Sequence, residues 1–308
     1  MAWMSVVEPG FFPTVQDLGR WGYAHLGVSP CGAADALSLR AGNRLVGNPD
    51  SAAALELTLA GGAFLFEEQT VLALTGAEFG VTLNGRSVPS WCAIPAPRGA
   101  ELRLGHTRGG ARAYLCVAGG FQVEWLLGSA STDVRAGFGG VEGRALRRGD
   151  RLAIGVPERA PSSASAVELR RYLEGEVLRV TAGPQAHLYA APALERGAYT
   201  VREESNRLGV RLCGEAVAAV ARHEMLTEGV SLGAVQVPPD GQPIVLLVDQ
   251  QTTGGYPKIA NVIAADLPRL GQLRPRDRVR FVLTDLEVAH SVLREQEAHL
   301  ERLLGEAA

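Results

Sequence analysis

The stretch Asp249-Gln250-Gln251-Thr252-Thr253-Gly254-Gly255-Tyr256-Pro257-Lys258 gathers groups that can hold an oxyanion. Thr252 and Thr253 supply hydroxyls, while Gly254 and Gly255 let successive backbone N–H groups converge. Lys258 supplies an ammonium, and it is the only lysine in the chain; the other strongly basic side chains are all arginine. An ammonium is a compact point charge with a tunable pKa, which a guanidinium does not replace. The combination reads as a cradle for a carboxylate or phosphate. The alternative is a solvated lysine with no chemical role.

Two elements must position that cradle. The apolar run Ile244-Val245-Leu246-Leu247-Val248 leads into it and reads as a strand buried on both faces. Beyond Pro257, the residues Ile259, Val262, Ile263 and Leu267 fall at helical spacing. Pro257 suits the first helical position, so a helix is expected there with its positive end at the cradle.

Composition narrows the class. A chain of 308 residues has room for two domains with their own cores. A net charge of −3 gives no electrostatic case for nucleic acid or an anionic membrane. No apolar stretch approaches a membrane span, and the first residues lack a signal-peptide pattern, so a soluble, cytoplasmic protein is expected. Cys31, Cys92, Cys116 and Cys213 are scattered without a C-x-x-C pair and read as small buried hydrophobes. His223-Glu224 has no second histidine four residues on, so no metal site is expected.

Along the chain, abundant glycine and short apolar runs between turns predict mostly β-structure, as barrels or sandwiches. Strands are expected at residues 4–7, 55–59, 63–66, 71–74, 80–83, 86–88, 101–104 and 113–117, with Asn84-Gly85 as a hairpin turn. Glu56 sits among apolar neighbours and, if buried, needs a partner such as an arginine. Ala34, Leu37, Ala41 and Leu45 define a helix, stopped by Gly47 and Pro49. The expected domains are 1–157 and 177–308, joined by a linker over 158–176. Thr284 and Glu287 form a capping box for a C-terminal helix reaching Leu304, with Ala289, Val292, Leu293, Leu300 and Leu303 as its apolar stripe.

The halves also echo one another. Leu146-Arg147-Arg148-Gly149-Asp150-Arg151-Leu152 matches Leu273-Arg274-Pro275-Arg276-Asp277-Arg278-Val279 in spacing. Thr14-Val15-Gln16-Asp17, with Gly19-Arg20, echoes Thr200-Val201-Arg202-Glu203, with Arg207 and Gly209. Two copies of one β-fold would produce both echoes.

Several longer stretches carry a family resemblance. PTVQDLGRWGYAHLGVSPCGAAD, NRLVGNPDSAAALE, YLCVAGGF, LGSASTD, SNRLGVRL, EGVSLGAVQVPPDGQPIVLLVDQQTTGGYPKIANVI and LGQLRPRDRVRF resemble the KipA family, that of the 5-oxoprolinase C subunits. The family is related to biotin-dependent carboxyltransferases and allophanate hydrolase subunit 2. A mild departure is Gly32-Ala33-Ala34-Asp35, where the family has methionine before the aspartate.

The resemblance implies a mainly β fold of two tandem cyclophilin-like β-barrel domains, with a few short helices and a C-terminal helix. It implies one component, inactive alone, of a multi-subunit enzyme converting 5-oxoproline to glutamate, with ATP and Mg used at the level of the complex. The implied partners are a KipI-type B subunit and a LamB/YcsF-type A subunit. Two alternatives stay open. One is a urea carboxylase-like carboxyltransferase, whose biotin must come in trans because Lys258 lacks flanking methionines. The other is a regulator binding a KipI-type kinase inhibitor.

The candidate catalytic residues are Lys258, Tyr256 and Glu228. Thr252, Thr253, Gly254, Gly255, Asn206, Arg207, Arg211 and Gln236 are the candidate substrate- or anion-binding residues. Gln16, Asp17, Arg20 and Asp35 are secondary candidates, with a fold-pinning or interface role as the alternative.

Overall fold

Branched and aromatic residues in runs punctuated by glycine form hydrogen-bonded ladders in both halves of the chain. The computed structural model describes residues 2–189, 193–219 and 225–305; His223 and Glu224 lie outside the described residues. The chain divides into two units. The first comprises Met1–Arg20, Cys31–Arg171 and Ala298–Ala308; the second comprises Trp21–Pro30 and Tyr172–Glu297. Among the described residues, no helix is long and apolar enough to cross a membrane.

The first unit is a ten-stranded sheet. Its path runs Thr14–Gln16, Ala54–Thr58, Ala100–Val117, Ala63–Phe66, Ala2–Glu8, Arg151–Ile154, Phe121–Gln122. The segments expected at 71–74 and 80–83 are one long strand, Thr70–Leu83, and those at 101–104 and 113–117 are another, Ala100–Val117. These two pair over most of their length, with register shifts near Gly76 that let the ladder bend. Phe64, Phe66, Leu55, Leu72 and Leu115 fill the core. Asn84 and Gly85 both have positive φ, as the hairpin turn requires. Glu56 is fully buried and satisfied by the Ala34 N–H at 2.9 Å, the Tyr114 hydroxyl at 2.8 Å and the Arg112 guanidinium at 3.5 Å. The helix is Ala36–Leu45, capped by Asp35 accepting from the Ser38 N–H, with Gly47 in the left-handed conformation just beyond it.

The second unit is a closed seven-stranded barrel. In order around the barrel its strands are Val177–Ala182, Lys258–Val262, Ala234–Gln236, Ile244–Leu246, Gly209–Cys213, Ala198–Val201 and Arg278–Leu283. The parallel pairing of the last with the first closes it. Leu178, Val180, Val210, Val235, Val245 and Val279 are buried, and Tyr199 meets Phe281 edge-on at 5.7 Å. The fold is thus mainly β. The second unit closes as a barrel, and the first is a sheet that curls without closing.

Several expectations are corrected. Residues from Lys258 onward form a strand, not a helix: Lys258–Val262 is hydrogen-bonded on both edges, to Ala234–Gln236 and to Val177–Ala182. The helical spacing of Ile259, Val262, Ile263 and Leu267 arose because the strand is followed at once by a short turn and the helix Leu267–Gly271. Branched residues in a doubly paired strand outweigh such a coincidence of period. The stretch 158–171 is not a loose linker. The Ser162 N–H reaches the Leu45 carbonyl and the Ala166 N–H reaches the Trp91 carbonyl, each at 2.9 Å, and Leu169 is fully buried. The C-terminal helix, Leu286–Leu304, is capped by Asp285, not Thr284, through the Val288 N–H at 2.8 Å. Cys213 is exposed, not buried.

The echo between halves is half right. Arg147 and Asp150 close one turn, with the Arg147 N–H on the Asp150 carboxylate at 2.8 Å and the Asp150 N–H on the Arg147 carbonyl at 3.1 Å. Arg274 and Asp277 repeat both bonds at the same two distances. Each turn also trades two backbone bonds with a strand residue, Val6 in the first unit and Val201 in the second. Val201 therefore corresponds to Val6, and the echo of Val15 in Val201 is out of register.

Candidate active site

The barrel places Lys258 at the start of a central strand, where its side chain is only 7% exposed. Its Nζ forms a direct ion pair with Glu228 Oε1; the Glu228 side chain is 44% exposed. Glu228 is held there by a two-stranded ribbon in which Glu228–Gly229 pairs with Thr253–Gly254. The ribbon explains the composition of the loop. Gly254 lies so close to Gln236 that a Cβ on it would sit 2.7 Å from the Gln236 Nε2.

Gln236 is the ladder partner of Lys258, and opposed residues of an antiparallel pair present their side chains to the same face. Gln236 is 2% exposed. Its Oε1 accepts from Gln251 Nε2 at 3.5 Å, while its Nε2 has no hydrogen-bond partner among the described residues. A buried amide donor left open costs stability unless something fills it. Tyr256 is 45% exposed and lines, with Gly255 and Pro257, an open cleft of about 930 Å³.

The electrostatics follow from the pair. The Lys258 ammonium holds the Glu228 carboxyl below the usual carboxylate range against partial loss of hydration, with a hydrogen bond from Gln185 adding to it. Gln185, which sequence reasoning did not single out, donates from Nε2 to Glu228 Oε1 at 2.8 Å. The one signal for it was the turn Ala182-Gly183-Pro184 just before it. The lone lysine is thus neutralised by a neighbour, not free between converging N–H groups at a helix end.

The remaining expected residues are not drawn into this cluster. Asn206 shapes a turn, its Oδ1 accepting from the Leu208 N–H at 2.8 Å. Arg207 is bidentate to Asp249, at 2.9 and 3.0 Å, and so fixes the start of the loop that carries Thr252. The Arg211 side chain is exposed on its strand. In the first unit, Asp17 accepts from the Gly19 N–H at 2.7 Å, Ser129 and Ser131 hydroxyls at 2.6 Å each, and the Ala130 N–H at 2.7 Å. Arg20 donates to the Ser131 carbonyl beneath the Phe138 ring, Gln16 donates to Thr132 O at 3.3 Å, and Asp35 caps its helix. All four thus make hydrogen bonds within the first unit, while Gln16 Oε1 and Arg20 Nε and Nη1 have no partner among the described residues.

Residues 26–283 match the family model described as carboxyltransferase domain, subdomain A and B. The 5-oxoprolinase C subunit of Escherichia coli is 40% identical over 303 residues, 97% of each chain. That of Haemophilus influenzae is 37% identical over 295 residues, 94% of each. Among solved structures, the K. lactis urea amidolyase superposes with a TM-score of 0.90 at 31% identity, covering 99% of this chain but only 20% of the amidolyase. The chain belongs to the carboxyltransferase-domain family and, within it, groups with the 5-oxoprolinase C subunits.

Proposed function

We propose that this chain is the C subunit of an ATP-dependent 5-oxoprolinase that opens 5-oxo-L-proline to L-glutamate. The observation that supports it best is full-length likeness: the E. coli protein of that name aligns over 97% of both chains. A KipI-type B subunit and a LamB/YcsF-type A subunit complete the enzyme.

ATP, when bound in the complex, supplies the phosphoryl group that activates the unreactive lactam carbonyl. The residues around Lys258 do not fit a triphosphate, which calls for several cations and N–H donors; here one ammonium is already matched by Glu228. They fit a small carbonyl or carboxylate. In this reading Gln236 Nε2 donates to an oxygen of the lactam lying over Gly254. Glu228 takes a proton from the water that adds to the activated carbonyl carbon. Lys258 gives its proton to the ring nitrogen as the C–N bond breaks, and the proton on Glu228 returns to Lys258. Hydrolysis of the remaining acyl phosphate releases phosphate and glutamate.

The test is reconstitution with the KipI-type and LamB/YcsF-type partners, measuring ATP-dependent glutamate release. The single chain is expected to be inactive and the full set active. Turnover by the chain alone, or none by the full set, overturns the reading.

The likeness to urea amidolyase favours one second reading, a carboxyltransferase served by a biotin carrier in trans. The carrier lysine must lie elsewhere, because the only lysine here is buried in a strand. Carboxyl transfer from added carboxybiotin, without glutamate release, would select it.

A further inference from the structure

We infer that Gln185 is a positioning residue that sets the geometry of the Lys258–Glu228 pair, an inference that rests on the active-site reading above. Its amide closes a ring of hydrogen bonds. The Lys258 backbone N–H donates to Gln185 Oε1 at 2.9 Å, Gln185 Nε2 donates to Glu228 Oε1 at 2.8 Å, and Lys258 Nζ meets that same oxygen. The backbone joins in, with the Gln185 N–H on the Lys258 carbonyl at 3.1 Å.

The corner that delivers Gln185 is built for close approach. The Gly183 N–H donates to the Ile259 carbonyl at 2.8 Å, and a Cβ on Gly183 would collide with the Lys258 carbonyl oxygen. Glycine is therefore required for the corner to lie flat on the strand. Gln185 then opens the short turn of helix Ala186–Leu188, which holds it in place.

The need for such a brace is physical. Glu228 sits on a two-residue ribbon strand with its side chain 44% exposed, and an ion pair with one wet partner is held weakly. An amide is the suited brace because it donates to the carboxylate, accepts from the backbone and does not titrate. The groups acting on the Glu228 carboxylate are Lys258 and Gln185.

The single lysine makes this testable apart from catalysis. Selective [15N]lysine labelling yields one backbone amide signal, that of Lys258, whose proton is the one given to Gln185. In Gln185→Ala that signal is expected to move, and its acid titration, which reports Glu228, to shift to higher pH. In the reconstituted complex kcat is expected to fall about tenfold, one hydrogen bond's worth, with KM less affected. Gln185→Glu keeps the acceptor for the Lys258 N–H but loses the donor and adds a competing carboxylate. It is expected to move the acid limb further than Gln185→Ala.

A fall in melting temperature alone, with the lysine titration and pH–rate profile unchanged in both variants, would make Gln185 merely structural and sink the inference. Lys258→Met separates the two levels. Lost turnover in Lys258→Met with normal Gln185 variants fails this inference only. Normal turnover in Lys258→Met fails the site reading and the inference with it.

Discussion

Lys258 and Glu228 form an ion pair that is buried at its cationic end and half exposed at its anionic end. The asymmetry matters, because the carboxylate remains reachable by solvent while the ammonium is held in one place by the barrel. Replacing the cation is accordingly the sharpest test of the site. Lys258→Met keeps length and apolar packing and is expected to lower turnover of the reconstituted complex by 10²-fold or more, about 3 kcal/mol of transition-state stabilisation. Lys258→Arg is expected to fail as well and to lower the melting temperature, since a bulkier planar head in a packed strand costs about 1–3 kcal/mol. Normal activity in Lys258→Arg would remove Lys258 from the chemistry.

The pH dependence has a defined sign. The Lys258 ammonium and the Gln185 amide hold the Glu228 carboxyl below its ordinary value, so the folded state binds its proton less readily than the unfolded state. The pair's contribution is complete above the ordinary carboxylate pKa and fades as pH falls through the lowered folded value. Turnover is expected to stay level from neutrality down through the ordinary glutamate range and then drop. In Lys258→Met the residual activity should begin to drop at higher pH. An acid limb that Lys258→Met leaves in place would assign it to another group.

Gly254 faces the open amide of Gln236, and a methyl group there would intrude on Nε2 at 2.7 Å. Gly254→Ala is expected to raise KM for 5-oxoproline several-fold, because the added methyl occupies the position assigned to a substrate oxygen. The melting temperature should change little, since the ribbon is peripheral to the barrel ladder. Unchanged KM would show that nothing binds over Gly254.

The residues 158–171 lie on the first unit through Ser162, Ala166 and Leu169, while Glu174, Gly175 and Glu176 are exposed. Limited proteolysis should therefore nick first within 171–176 and spare 160–169. Mass spectrometry of the fragments reads this directly. An early cut between Pro161 and Leu169 would contradict the packing.

What was legible in the chain divides along physical lines. The ribbon of strands, the Asn84-Gly85 turn, the helix after Asp35 and the burial of Glu56 against an arginine all follow from local chemistry. Lys258, Glu228 and Gln236 were among a longer set of candidates that also held Tyr256, Asn206, Arg207 and Arg211, and the structure brings Lys258 and Glu228 together across thirty residues. The element carrying Lys258 was misread because helical spacing was followed across a junction between a strand and a turn. Whether a strand is central depends on neighbours remote in sequence, here residues 177–182 and 234–236. Gln185 was missed for the same reason: nothing near it in sequence announces Lys258. Arg207 and Arg211 were drawn to the site by their charge, yet one is spent on Asp249 and the other faces solvent.

The first unit offers the contrasting case of a polar cluster whose acidic member, Asp17, is matched by donors of its own loop. Asp17 takes hydrogen bonds from Gly19, Ser129, Ala130 and Ser131, all between 2.6 and 2.7 Å, and it is 3% exposed. Asp17→Ala strips the shared acceptor from a loop whose donors remain buried. Each unsatisfied donor costs about 1–3 kcal/mol, so a total loss of at least about 3 kcal/mol is expected even after partial relaxation. Asp17→Asn keeps one oxygen and should lose less. Both variants are expected to lower the denaturation midpoint while the folded fraction, saturated with its partner proteins, turns over at the wild-type rate per folded molecule. Unfolding curves paired with active-site-normalised turnover measure the two effects separately. A stable Asp17→Ala protein with lost turnover would instead move the chemistry to the loop at Ser129–Ser131.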